Sequence, residues 1–199
     1  MQLVKNNIYH IYNRGLNKQP IFLYEAHYYF FIKKIKYYLS PVCNILSYCL
    51  MPNHFHIIIE ATAESVIEKK AGFAIMQQTS YAIQHLLSSY TKAFNKQQNR
   101  TGSLFTQNTK CKNISENEQT EYYRFTCINY VHQNPWKARL VARMEDWKFS
   151  SFIDFLVDRK DKNIINKERA FQLFNIDKSS FYKESYAAID EDKLRKIFV

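Results

Sequence analysis

Residues Leu50 to Glu60 read LMPNHFHIIIE, and their reading decides how the rest of the chain is arranged. Three successive isoleucines after two histidines are β-branched and apolar, so the segment predicts a buried strand. In a strand, residues i and i+2 share a face. His54 and His56 therefore project side by side, with Phe55 and Ile57 turned the other way. The preceding VCNILSYCL, residues 42–50, is a second strand, and MPN is a turn that folds the two into a hairpin. Two neighbouring imidazoles on one face can chelate a divalent ion through their ring nitrogens. His-X-His also arises by chance, so the pair alone does not separate a metal site from packing.

Working outward, NNIYHIYNRGLNKQPIF (residues 6–22) opens with alternation that predicts a strand, then a basic turn in which Gly15 is free to take positive φ. YEAHYYFFIKKIKYYL (24–39) carries apolar residues at helical spacing and closes before Pro41. Residues 63–97 predict a long helical segment with an interruption near Gly72. Residues 97–114 predict a loop and strand rich in amides and cations. SENE, Ser115 to Glu118, matches a capping box and opens a helix expected to run to about Asn134, where Pro135 stops it. From about residue 151 the chain reads as short helices. The order of strand, helix, hairpin strands, helix, strand and helix predicts an α+β sandwich, an antiparallel sheet covered by helices mainly on one face.

The chain has 199 residues with only 3 glycines and 4 prolines, which fits an ordered globule with its own core. No apolar run approaches a membrane span and the first residues lack a signal-peptide apolar region, so a cytoplasmic protein is expected. Four cysteines without a CxxC pair suit a reducing compartment and predict neither a disulfide framework nor a zinc finger. The net charge of +10 is uneven. Residues 151–199 hold 10 Lys/Arg against 9 Asp/Glu, leaving 18 basic and 9 acidic side chains in residues 1–150. A basic excess confined to one part fits a phosphate-rich partner, although a merely basic soluble surface has the same signature.

A third ligand and a reacting group would sharpen the histidine pair. In FTCINYVHQNPWKARLV (125–141), Tyr130 and Asn134 lie at i and i+4 and so stack on one helical face. An amide oxygen suits Mg2+ or Mn2+, and a phenol one turn earlier can attack a polarised phosphodiester. Equally, Tyr130 can be a core tyrosine and Asn134 a helix cap.

Together, YCLMPNHFHIIIE (48–60), GSLF (102–105), YVHQNPWKARLV (130–141) and WKFSS (147–151) resemble the REP-associated tyrosine transposases. These belong to the single-tyrosine HUH transposases of the insertion-sequence type, where HUH is His, hydrophobic, His: here His54, Phe55 and His56. The resemblance covers roughly residues 7–155, which defines a transposase-like domain over 1–155 and a helical extension over 156–199 whose role it does not address. It implies a ferredoxin-like sandwich with a four- or five-stranded antiparallel sheet. It further implies Tyr130 as nucleophile, His54, His56 and Asn134 as ligands of Mg2+ or Mn2+, and His132 and Gln133 as secondary. The implied activity is cleavage and rejoining of single-stranded DNA at hairpin or palindromic repeats through a 5′-phosphotyrosine, by a monomer or homodimer. Expected DNA contacts are Arg14 and Lys18 in the first turn, Arg100, Lys110 and Lys112 around the amide-rich strand, and Lys137 and Arg139 after the tyrosine helix. Most of these are expected to touch phosphate. Tyr12 and Phe105 are candidates to stack on bases, with core roles the competing expectation. Where the family often has glycine after KA, this chain has Arg139. A replication-initiator-like nickase and a binding-only regulator of the same fold are the alternative functions.

Overall fold

β3 (His54–Ala61) pairs antiparallel on one edge with β2 (Cys43–Met51) and on the other with β1 (Ile8–Arg14). The computed structural model describes residues 1–115, 120–157 and 164–189, with the backbone alone for 120–123. β6 (Lys110–Asn113) completes a four-stranded sheet in the order β2-β3-β1-β6. All neighbours are antiparallel, as the sequence predicts.

The alternation in β3 assigns the two faces. Phe55 points toward α1 (Glu25–Tyr38), its ring 5.2 Å from Phe31, and toward Phe105 at 6.1 Å. α3 (Gln78–Gln97) packs beside α1, and its buried Tyr90 sits edge-on to Phe31 at 4.9 Å and donates to the Ile21 carbonyl. Phe31 and Phe55 are almost fully buried; truncating either to alanine would cost about 3–5 kcal/mol. The expectation of helices mainly on one face holds for α1 and α3. The opposite face, which carries His54, His56, Ser47 and Cys49, is covered by α4 (Thr120–Lys137), packed chiefly on β2. His132 of α4 is fully buried and meets the hydroxyls of Ser47 at 3.0 Å and Ser151 at 2.9 Å.

The WKFSS stretch braces β2 from its outer side. Leu50 N–H donates to the Phe149 carbonyl, Ser151 N–H to the Tyr48 carbonyl, and Trp147 Nε1–H to the Leu50 carbonyl. These bonds occupy backbone groups of an edge strand that would otherwise lie open. Residues 164–189 form α6 (Lys167–Phe174) and α7 (Phe181–Ser185), after the short α5 (Phe152–Leu156). Gln133 of α4, fully buried, donates to the carbonyls of Ser185 at 2.7 Å and Ala187 at 2.9 Å. The extension is thus seated on the back of α4. No helix among the described residues is long and apolar enough to cross a membrane, and the four cysteines are free thiols.

Three local expectations are corrected, and a fourth falls outside the described residues. Residues 63–97 are not one interrupted helix. A short α2 (Ala63–Val66) leads into the hairpin β4 (Glu68–Ala71) and β5 (Ala74–Gln77), and only then does α3 begin. Gly72 takes φ of 63° as the first of two loop residues, the position where a II′ hairpin turn needs glycine. Gly15, by contrast, has φ of −59°; positive φ falls on Asn17 and Lys18. Glycine is required at 15 by close approach, since a Cβ there would meet the Gln19 carbonyl oxygen. Pro135 lies inside α4, which runs on to Lys137. Its missing N–H removes one bond in the last turn, while the Asn134 carbonyl still accepts from Ala138 and the Pro135 carbonyl from Leu140. As for the capping box, Glu118 lies outside the described residues. The Ser115 hydroxyl accepts from Ile8 N–H at 2.7 Å.

The end of α4 explains Arg139. Arg139 N–H donates to the Trp136 carbonyl and Leu140 N–H to that of Pro135, the two bonds of a Schellman cap. Arg139 itself has φ of 57°, a left-handed conformation in which a side chain is strained. Arg139→Gly is therefore expected to stabilise the fold by about 0.5 kcal/mol after the unfolded-state entropy of glycine is subtracted. That appears as a rise of about 1–2 °C in thermal midpoint.

Candidate metal and phosphate site

The histidine face of the sheet is assembled by register. Tyr12 lies opposite His56, and Arg14 opposite His54, so all four side chains share one surface. The His54 and His56 rings stand 5.0 Å apart and nearly perpendicular. From α4, the Tyr130 ring meets His56 edge-on at 5.6 Å. Asn134, one turn further, donates Nδ2–H to the Tyr130 carbonyl at 2.8 Å, and its side chain lies beside the His54 ring and the Tyr130 phenol. The structure therefore brings together His54, His56, Tyr130 and Asn134.

Both imidazoles are neutral. Burial holds His54 below its usual range, opposed by the Asn134 side chain and aided by the Arg14 charge. Burial lowers His56 well below that range, with His10 and His54 adding to the effect. Neutral imidazole is the form that donates a lone pair to a metal. His54 spends Nδ1 on Asn53 Oδ1 at 2.7 Å. His56 spends Nδ1 on His10 Nε2 at 2.9 Å, while its buried Nε2 has no hydrogen-bond partner among the described residues. An orphaned buried nitrogen is costly unless something else satisfies it, and a cation held by His54, His56 and the Asn134 amide oxygen fits that vacancy of bonding. No group of three or more His, Cys, Asp or Glu side chains suited to a metal occurs among the described residues, so the amide is what would complete the set.

Tyr130 is partly buried. Burial raises its phenol above the ordinary value, the Asn134 side chain pulls against that, and Tyr12 and Cys49 add small upward effects. It opens on a cleft of about 690 Å³ lined by Tyr12, Arg14, Lys18, both histidines and Lys110, with the amides Asn53, Gln107 and Asn108. Of the expected DNA contacts, Arg14, Lys18 and Lys110 line this cleft. Lys112 pairs across the sheet with His10 and lies near Cys127 of α4, away from the cleft lining. Arg100 reaches Gln19 Oε1 at 3.2 Å and the Ser103 carbonyl at 3.1 Å, tying two loops together. Lys137 and Arg139 stand at the end of α4 and do not line the cleft. Tyr12 faces the cleft, whereas Phe105 is buried against Phe31, Phe55 and Tyr90. His10 was not singled out by sequence. Its signal was the alternation in YHIY, which places it two residues from Tyr12 on the same face as the histidine pair once β1 and β3 are paired.

No family model matches the chain, and no curated protein matches its sequence. Among solved structures it resembles a REP-associated tyrosine transposase bound to a REP hairpin. The TM-score is 0.54 and the identity 17% over 78% of this chain and 82% of that one. At that identity the likeness is one of fold. The chain shares the α+β architecture of a tyrosine transposase.

Proposed function

We propose that this protein is a metal-dependent single-stranded DNA endonuclease and strand transferase that recognises hairpin or palindromic repeat DNA and works through a 5′-phosphotyrosine. The observation that carries the reading is the convergence of Tyr130, His54 and His56 on one basic cleft, with Asn134 beside His54. The fold neighbour's hairpin ligand supports the choice of DNA form. Residues 1–155 would carry the chemistry, with 156–199 as an extension whose residues 164–189 buttress α4; a cytoplasmic location and either a monomer or a homodimer belong to the same proposal.

In this reading Tyr130 Oη attacks a backbone phosphorus. The Oη–P bond forms, the P–O3′ bond breaks, the phenolic proton passes to solvent water, and the departing O3′ takes up a proton from solvent to leave a free 3′-OH. The 5′ phosphate stays on Tyr130, so another strand's 3′-OH can reverse the step without an external energy source. A bound Mg2+ or Mn2+, held by His54, His56 and Asn134, supplies Lewis-acid polarisation of the phosphate and charge stabilisation. Arg14, Lys18 and Lys110 hold the phosphates beside Tyr130, and Asn134 ties the tyrosine to the His54 side of the site.

Incubation with labelled hairpin DNA, with and without Mn2+, followed by a denaturing gel, tests the proposal. An ion-dependent covalent adduct is expected. Stable hairpin binding without adduct would replace the enzyme by a regulator of the same fold. His56→Ala is expected to lose adduct formation by roughly 100-fold or more, since even residues behind a metal ligand are worth about 10–100-fold. Its hairpin affinity should stay within a few-fold of wild type; equal loss of both would make the histidines structural.

A further inference from the structure

His10 and His56 are fully or almost fully buried, and their rings stack at 5.0 Å with 16° between planes. The contact that joins them is Nε2 of His10 to Nδ1 of His56 at 2.9 Å. One proton lies in that bond, and its ownership decides what His56 offers to the cleft. If His10 owned it, neutral His56 would carry its proton on Nε2, a buried atom with no hydrogen-bond partner among the described residues. If His56 owns it, Nε2 presents a lone pair. On the neighbouring ring the same question has a clear answer. Asn53 Nδ2–H donates to the Lys18 carbonyl at 3.3 Å, which turns Asn53 Oδ1 toward His54 and makes His54 Nδ1 the donor. His54 therefore also presents Nε2.

We infer that His10 and Asn53 are positioning residues that set the tautomers of His56 and His54, so that both imidazoles present an Nε2 lone pair to a divalent cation. This rests on the proposed reading of the two histidines as ligands. A metal-bound imidazole commonly donates its other N–H to a neighbouring acceptor, which fixes ring orientation and raises basicity. The acceptor is usually a carboxylate or carbonyl; here it is a neutral imidazole on the adjacent strand, placed diagonally by the β1–β3 register, two residues along from Tyr12, which lies opposite His56. Tyr12 packs against both rings, its centroid 4.8 Å from that of His10 and 5.9 Å from that of His56. A neutral acceptor leaves the cation's charge uncompensated, so the site depends more on the phosphate it binds.

Long-range 1H–15N correlation spectra of the metal-free protein read the tautomers directly. The expectation is Nδ1–H for both His54 and His56, and Nε2–H on His56 in wild type would overturn the inference. His10→Leu removes the acceptor and keeps the bulk, while His10→Gln places an amide oxygen where Nε2 stands. In His10→Leu, His56 should turn toward the Nε2–H form and Mn2+ affinity should fall about 10–100-fold. In His10→Gln both should return to within a few-fold of wild type. Should His10→Leu unfold, the Gln variant and the wild-type spectrum still decide: a Gln variant as weak as one without any acceptor sinks the inference. Wild type showing Nδ1–H tautomers without binding Mn2+ would defeat the metal reading while upholding the tautomer assignment, so the two fail separately.

Discussion

Tyr130→Phe is expected to abolish the covalent DNA adduct while hairpin binding persists. The change removes one oxygen, and if that oxygen is the nucleophile the loss should be on the scale of losing any covalent nucleophile, roughly 10⁴-fold or more. The ring that packs edge-on against His56 at 5.6 Å is retained. What the fold loses is the phenol's polar interaction with the Asn134 side chain, worth at most about 1 kcal/mol. Thermal melting should therefore move little, and a collapsed variant would make the adduct result uninterpretable as chemistry. The wild-type rate also carries a sign. Burial holds the phenol protonated above its ordinary range, so adduct formation should climb as pH rises toward the alkaline side. Tyr12 is the rival, because it faces the same cleft and burial likewise raises its phenol. An adduct that survives Tyr130→Phe and disappears in Tyr12→Phe would transfer the role to Tyr12.

The histidine strand was legible because its evidence is local. Three β-branched residues, a Pro-Asn turn and a period of two fix β3, its partner β2, and the shared face of His54 and His56 without knowledge of anything distant. Tyr130 and Asn134 were legible for the same reason, with helical spacing standing in for contact. The β4–β5 hairpin was not. Glu68, Lys69, Lys70 and Ala71 are residues that strands disfavour and helices accept, so propensity pointed to helix. A two-residue turn around Gly72 decided otherwise. His10 shows the other limit. Alternation in β1 gave the face it occupies, but its role depends on which strand lies alongside and in which register, and that is set by the whole sheet. Gly15 is a third case, since the carbonyl it makes room for comes from a turn whose path the sequence does not specify.

Replacing Arg169 should reveal what seats the C-terminal helices, at a large expected cost to stability. Glu60, at the far end of β3 from His54, is only 3% exposed. Its carboxylate accepts from Arg169 Nε at 2.9 and 3.1 Å, from Arg169 Nη2, and from Asn44 at 2.8 Å. Burial pushes this carboxyl up, but the Arg169 and Asn44 hydrogen bonds prevail and hold it below its ordinary value. Arg169→Met strands the charge with Asn44 alone, at a cost of about 3 kcal/mol, the lower end for a broken buried pair because the Arg169 side chain is 38% exposed. The thermal midpoint should drop by about 6–12 °C for a chain of this size. The double variant Glu60→Leu with Arg169→Met removes the stranded charge and should return most of that loss. The pH dependence separates charge from packing. In wild type, Glu60 contributes stability above the unfolded carboxylate value of about 4.3 and loses it as pH falls through the lowered folded value. In Arg169→Met, unopposed burial raises the folded value above the unfolded one. The penalty is then full at neutral pH and vanishes below about 4.3. The gap between the two proteins should therefore narrow on acidification; a gap independent of pH would mean that Arg169 acts through its alkyl packing on α6 and not through its charge. Adduct formation per folded molecule should be unchanged throughout, because Glu60 and Arg169 sit at the opposite end of β3 from the histidines.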